Sequence, residues 1–192
     1  MDVKDAIEQR RSRRALKPFS LDKRTVIEEL SRAAMLAPSC YNKQPWQFVF
    51  VYEENKLGDV ASTLMPGNEW VVKGGMVIAL VSSPDRDCSV GDMQYYLFDC
   101  GLAVGQMMLR GTEMGIVVHP IAGFYEDKVK KVLGVPEEMR VPVLIAVGKA
   151  MADPDRADFL NEKQKETERK RPPRKPLAEF VFLNSYSNSI KD

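Results

Sequence analysis

The densest chemistry in the sequence is the run Arg10, Arg11, Ser12, Arg13 and Arg14. Its plain reading is a solvated basic helix end, where cations complement the helix dipole. Its sharper reading is anion capture, because guanidinium groups grip phosphate oxygens bidentately and Ser12 adds a hydroxyl donor. A second segment, APSCYNKQPWQFVFV over Ala37 to Val51, carries Pro38, Ser39, Asn42, Gln44 and Pro45 as a polar loop between a helix and a buried strand. Loops at strand ends are where ligands usually bind, and Asn and Gln offer donors and acceptors suited to sugar hydroxyls or a heterocycle edge. The alternative is an ordinary helix-to-strand turn, with Trp46 as a core anchor. In a third segment, HPIAGF, Pro120 fixes the backbone and Gly123 allows the main chain to approach a ligand. A fourth, RPPRKPL, offers Arg171, Arg174 and Lys175 either as a solvated tail or as a second phosphate clamp.

Other chemistries are excluded or demoted. A single histidine, His119, rules out metal sites built from several histidines, and no metal is expected. His119 lies in the apolar run IVVHPI, where a histidine is expected to be packed rather than to act as a base. The sequence contains neither GxGxxG nor GxxxxGK[ST], so a Rossmann fingerprint and a P-loop are both absent. The 28 Lys and Arg nearly balance the 27 Asp and Glu, which argues against a protein devoted to nucleic-acid phosphates. The longest apolar-rich run, Met93 to Val118, carries Asp99, Arg110 and Glu113, a poor membrane span. Cys40, Cys88 and Cys100 are scattered with no CxxC spacing, so a disulfide framework is not expected. With no apolar secretory segment visible, a reducing cytoplasm is the simplest setting.

The elements that must position these segments follow from periodicity. Val3 and Ile7 mark a short amphipathic helix running into the arginines, and Ser20 or Asp22 caps a second with Val26, Ile27, Leu30, Ala33 and Ala34 at helical spacing, stopped by Pro38. Strands are expected at Gln47–Tyr52, Met76–Ser82, Ile116–His119 and Val141–Val147, the second and fourth buried on both faces. Helices are expected at Asn55–Leu64, Met93–Gly115 and Asp127–Leu133, the last closed by Gly134. The Met93–Gly115 helix is apolar nearly all round, which places it in the core or a subunit interface, and Gly101, Gly105 and Gly111 suit close backbone packing there. After Ala150 the charged stretch Asp153–Lys175 leads to the apolar LAEFVFL, an arm suited to docking at a distance. The alternation of helices and strands gives an α/β or α+β class with one central sheet.

Taken in order along essentially the whole chain, the RRSRR, APSCYNKQPWQFVFV, DCGLAVGQMML, HPIAGF, PVLIAVGKA and RKPLAEFV segments resemble the nitroreductase family of flavoproteins. The resemblance implies an α+β fold, a central mostly antiparallel sheet flanked by helices, as a single domain over residues 1–192. It also implies a homodimer with FMN at the subunit interface and residues 151–192 as an arm embracing the partner. It assigns Arg10, Ser12 and Arg11 to the FMN phosphate and Arg14 to the N1–O2 edge of the flavin. Pro38, Ser39, Cys40, Asn42 and Gln44 of the other subunit would contact the ribityl chain and ring. Pro120, Ile121, Ala122 and Gly123 would run along the ring toward N5 and O4. Arg174 and Lys175 would complete the phosphate site, and Asn68 would face the pyrimidine edge. Cys40 stands where serine is frequent and Ala122 where Gly or Glu is frequent, which bears on oxidation sensitivity and acceptor choice.

The implied function is electron transfer from NADH or NADPH to a small organic acceptor, such as a nitroaromatic or quinone, by a ping-pong mechanism. The flavin N5 does the chemistry and no side-chain catalyst is needed. The alternatives are a non-catalytic flavin-binding carrier or sensor, which shares every cofactor residue, and a Cys40 hydrolase with His119 as base. Neither nucleic acid nor membrane is an expected partner.

Overall fold

The two apolar runs at Met76–Ser82 and within Arg140–Ala150 pair antiparallel at the centre of a five-stranded sheet in the computed structural model, which describes residues 1–190. In chain order the strands are β1 (Leu16–Lys17), β2 (Gln47–Val51), β3 (Met76–Ser82), β4 (Ser89–Val90), β5 (Met93–Gln94), β6 (Val117–Ile121) and β7 (Arg140–Ala150). β2 pairs with β3, β3 with β7, and β7 also with β6 and, through its last residues, with β1, every pairing antiparallel. β4 and β5 form a separate small hairpin.

Successive side chains of a strand point to opposite faces, and both faces of β3 and β7 are covered. Met76, Ile78 and Leu80 of β3, with Ile145 and Val147 of β7, pack against α2 (Lys23–Met35) through Val26, Leu30 and Ala34. The same cluster includes Ala103, Val104 and Met107 of α4 (Tyr96–Glu113). The alternate residues Val77, Ala79, Val81, Leu144 and Ala146 pack on the other face against Trp70, Val60 of α3 (Glu54–Ala61) and Val129 of α5 (Glu126–Leu133). This is why both strands read as continuous apolar runs.

Local signals set most boundaries. Asp22 accepts the Thr25 N–H at 2.8 Å as the cap of α2, and Asp2 accepts from Asp5 at the start of α1 (Val3–Gln9). Gly134 closes α5 in the left-handed conformation at φ 67°. One expected boundary is corrected: Met93 and Gln94 belong to the β4–β5 hairpin, turned at Gly91 with φ 58°, and the long helix begins at Tyr96. That helix also has a single buried stripe. Among its glycines, Gly111 has a neighbour, with Val118 Cγ2 lying 2.4 Å from where a Cβ would stand, whereas a Cβ at Gly101 or Gly105 meets nothing. Leu97, Gly101 and Gly105, at helical spacing of four, line an apolar groove with Met108, Pro120 and Val143.

The composition shift after Ala150 is not where packing ends. Ala157 and Leu160 are buried in the core, and α6 (Glu162–Arg169) packs back through Glu168, which is only 3% exposed. Beyond Lys170 the chain runs out along the surface, with Phe180, Leu183 and Tyr186 exposed. No helix among the described residues is long and apolar enough to cross a membrane.

Candidate functional site

The arginines from the two halves of the sequence meet in one cleft of about 300 Å³. Arg10, Arg11, Ser12 and Arg14 enter from the end of α1; Thr167, Arg171, Pro172 and Arg174 enter from α6 and the run after it. Arg11 fixes the junction by donating to the Thr167 and Glu168 carbonyls (2.9 and 3.2 Å), the free carbonyl end of α6. Arg171 donates to the Arg10 carbonyl at 2.6 Å, tying the arm to the first segment. Arg10 itself donates to Ser12 Oγ at 3.4 Å.

Among the described residues, the cleft lining holds five arginines and no carboxylate. Partial burial, then Arg171 and Arg174, draw Arg10 below the ordinary arginine value. Burial, then Arg13, act in the same direction on Arg11. Guanidinium groups stay charged under these pressures, so the cleft concentrates positive charge that a bound anion relieves. The one buried acid nearby is spoken for: Glu168 pairs with Arg13 Nε and accepts the Arg14 backbone N–H at 2.6 Å. It braces the basic run from behind.

Arg14 lies over the Trp70 ring, 5.7 Å from its centroid. Trp70 in turn stacks on His119 at 4.7 Å. His119 is buried and donates from Nδ1 to the Arg13 carbonyl at 2.9 Å. Burial, reinforced by the Arg14 charge, pushes its pKa down to about 4, so the ring is neutral and structural at physiological pH. Next to this stack, Gly123 and Asn68 touch: a Cβ on Gly123 would lie 2.3 Å from Asn68 Nδ2. Asn68 donates to the Met65 carbonyl at 3.3 Å while Met65 N–H donates to Gly123 at 3.0 Å. Pro120 and Ile121 end β6, and Ala122 is exposed beside Gly123.

The polar loop after α2 is a separate structure. Pro38, Asn42 and Gln44 are exposed and Ser39 and Cys40 half-buried, and none of them lines the arginine cleft of the same chain. Tyr41, Asn42 and Gln44 have positive φ (47°, 56° and 48°), each strained for a residue with a Cβ. The loop holds itself through Gln44 N–H donating to Ser39 Oγ at 2.9 Å and Gln44 Nε2 donating to Asn42 Oδ1 at 3.2 Å. It is anchored to α4 where the Cys40 N–H donates to Asp99 Oδ2 at 2.6 Å. Against expectation, Cys40 is bonded to Cys88, their Cα atoms 6.1 Å apart across 48 residues of sequence. Spacing in the sequence carried no sign of this; the fold brings the β3–β4 connection beside the loop. Cys100 is a free, buried thiol.

Arg10, Arg11, Ser12, Arg14 and Arg174 thus come together as the sequence suggested, and Asn68 joins Gly123. Lys175 does not line the cleft; it pairs with Glu179 at 3.6 Å on the exposed arm. Sequence reasoning missed Glu168, Thr167 and Trp70. A charged helix such as EKQKETER gives no sign of which carboxylate turns inward. Arg171, left open as tail or clamp, lines the cleft.

The nitroreductase family model matches residues 7–74 and 66–149, and the chain belongs to the nitroreductase family. The oxygen-insensitive NADPH nitroreductase of Helicobacter pylori strain 26695 is 29% identical over 168 residues, covering 67% of this chain and 78% of that protein. Among solved structures, one described as an oxidoreductase containing FMN superposes with a TM-score of 0.80 at 24% identity, covering 97% of this chain and 92% of that one. A nitroreductase family protein from Clostridium difficile 630 superposes with a TM-score of 0.78 at 19% identity, covering 96% and 99%. The two structural likenesses establish the α+β fold.

Proposed function

We propose that this chain is an FMN-dependent oxidoreductase that carries electrons from NADH or NADPH to a small organic acceptor, such as a nitroaromatic or quinone, and works as a homodimer. The observation that carries the reading is the arginine cleft: two separate chain segments converge on a carboxylate-free cavity suited to a dianionic phosphate monoester. Bound FMN supplies the redox chemistry, alternately accepting and giving two electrons. Arg10, Arg171 and Arg174 hold the phosphate, with Ser12 as an added donor. Arg14, steadied on Trp70 and by a 3.5 Å contact to Thr167 Oγ1, supplies a fixed cation for charge that develops on reduction. The Pro120–Gly123 main chain, free of bulk at Gly123, lies along the ring, with Asn68 at its polar edge.

The polar loop from Pro38 to Gln44 fits the same scheme as the contribution of a second subunit, because none of its residues lines the cleft of its own chain. The open face of α4 at Leu97, Gly101 and Gly105 and the apolar arm suit burial against that subunit. Donor and acceptor then take turns at one site, a ping-pong order.

The test is an absorption spectrum of purified protein supplied with FMN, before and after anaerobic NADH or NADPH. A yellow protein that bleaches supports the reading; one that stays colourless overturns it. A coloured protein that turns over no nitro or quinone acceptor is instead a flavin carrier.

A further inference from the structure

The Cys40–Cys88 bond has an unusual neighbour. Asp87 is buried; its Oδ1 accepts the Cys88 N–H at 2.8 Å, while its Oδ2 meets no hydrogen-bond donor and the carboxyl faces that of Asp99. Both sulfurs and an Asp87 carboxylate oxygen lie within 4.8 Å of one another. Among the described residues no other three His, Cys, Asp or Glu side chains converge in this way. An orphaned buried carboxyl is costly unless it has a task, and here it stands against a bond whose opening creates a thiolate in need of a proton. Cys40, the sulfur exposed to attack, is half-buried, so a small thiol can reach it. Burial pushes the Asp87 carboxyl up from its ordinary value and Asp99 adds to it, against the Cys88 N–H and Lys43, which pull it down. The remaining neighbour, Cys100, is pushed up to about 11 by burial and stays a thiol.

We propose that Cys40 and Cys88 are a reversible thiol–disulfide exchange site, with Asp87 as the proton donor to the departing Cys88 sulfur, and that opening the bond releases the Pro38–Gln44 loop. The thiolate of a small thiol or dithiol attacks the Cys40 sulfur. The Cys40–Cys88 bond breaks, its electron pair leaves on Cys88, and Asp87 delivers a proton there and is recharged from water. A second thiolate then attacks the mixed disulfide at the incoming sulfur, releasing Cys40 as a thiolate that water protonates. In sum, two thiols are oxidised to one disulfide, and the protein gains two electrons and two protons. The bond restrains a segment with three positive φ values, so its loss frees strain.

The consequence for cofactor binding rests on the flavin reading above; the exchange itself does not. Holoprotein is equilibrated in glutathione buffers of graded ratio, alkylated, denatured and weighed. Two alkyl groups should appear together in a reversible transition. A bond that persists in dithiothreitol without denaturant, or cysteines alkylated at every ratio, overturns the proposal. Asp87→Asn keeps the acceptor for Cys88 N–H but cannot donate a proton. It should slow reduction on the order of tenfold near neutral pH and remove the fall in rate that ionisation of Asp87 imposes as pH rises, with Asp87→Glu restoring both. An unchanged rate and profile overturns the role of Asp87. Reduced holoprotein should bind FMN at least about threefold more weakly than oxidised, the effect of a loosened loop. Equal affinity overturns the link to the loop, whereas protein that binds no FMN in either state fails the flavin reading and leaves the alkylation result standing.

Discussion

The arginine cleft and the Pro38–Gln44 loop are built by opposite means. The cleft is assembled within one chain from distant segments, each locked by main-chain hydrogen bonds: Arg11 on the end of α6, Arg171 on the Arg10 carbonyl, Glu168 behind Arg13 and Arg14. The loop is local, exposed and strained, and is held at its base by Asp99 and the disulfide while its polar side chains face outward. A site that must grip a fixed charge needs rigid convergence, and one that must meet a ligand bound elsewhere needs presentation. In the FMN reading proposed above, the difference divides the labour into phosphate anchoring and ring or sugar contact.

The largest expected effect comes from breaking the brace of the cleft. Glu168→Ala leaves the mostly buried Arg13 guanidinium and the Arg14 N–H without their partner and should cost about 3–5 kcal/mol. Thermal unfolding should then fall by about 10 °C, and a shift within error would show that the brace is not structural. Next, Arg174→Ala should weaken FMN by roughly 10- to 100-fold, the range for one lost charge-assisted hydrogen bond, while leaving riboflavin affinity unchanged, since riboflavin has no phosphate. Gln44→Ala should weaken both by a similar factor. Fluorescence titrations with the two flavins sharpen the comparison, and equal losses for both flavins in Arg174→Ala would erase it.

The His119 support of the cleft gives a pH signature. Its folded pKa is depressed to about 4 from the model-peptide value near 6.5, so the unfolded chain binds the extra proton between those values. The stability it contributes is present above about pH 6.5, declines as pH falls, and is fully lost below about 4, reaching a deficit of about 2 kcal/mol at pH 5. Denaturant midpoints of wild type and His119→Gln should therefore converge as pH drops from 7.5 to 5. A constant gap would mean that the ring is not held neutral. The smallest effect is expected at Lys175→Ala, whose exposed pair with Glu179 lies outside the cleft. FMN affinity should change by less than about twofold, and a tenfold loss would place Lys175 back in the phosphate site.

The sequence by itself determined the elements and the chemical repertoire. Continuous apolar runs marked the two central strands, period and caps marked the helices, one histidine removed whole classes of mechanism, and the basic runs marked both halves of the arginine cleft. These properties are local: side-chain type, spacing and backbone preference act over a few residues and can be read in order. Tertiary structure alone decided which groups meet. It turned Glu168 inward from a helix of charges, set His119 under Trp70, sent Lys175 to Glu179, left Gly101 and Gly105 facing open space, and brought Cys88 to Cys40. Such meetings depend on the packing of both sheet faces and on the return of the chain after β7, and no short window of sequence encodes the distance between residues that only the closed fold brings together.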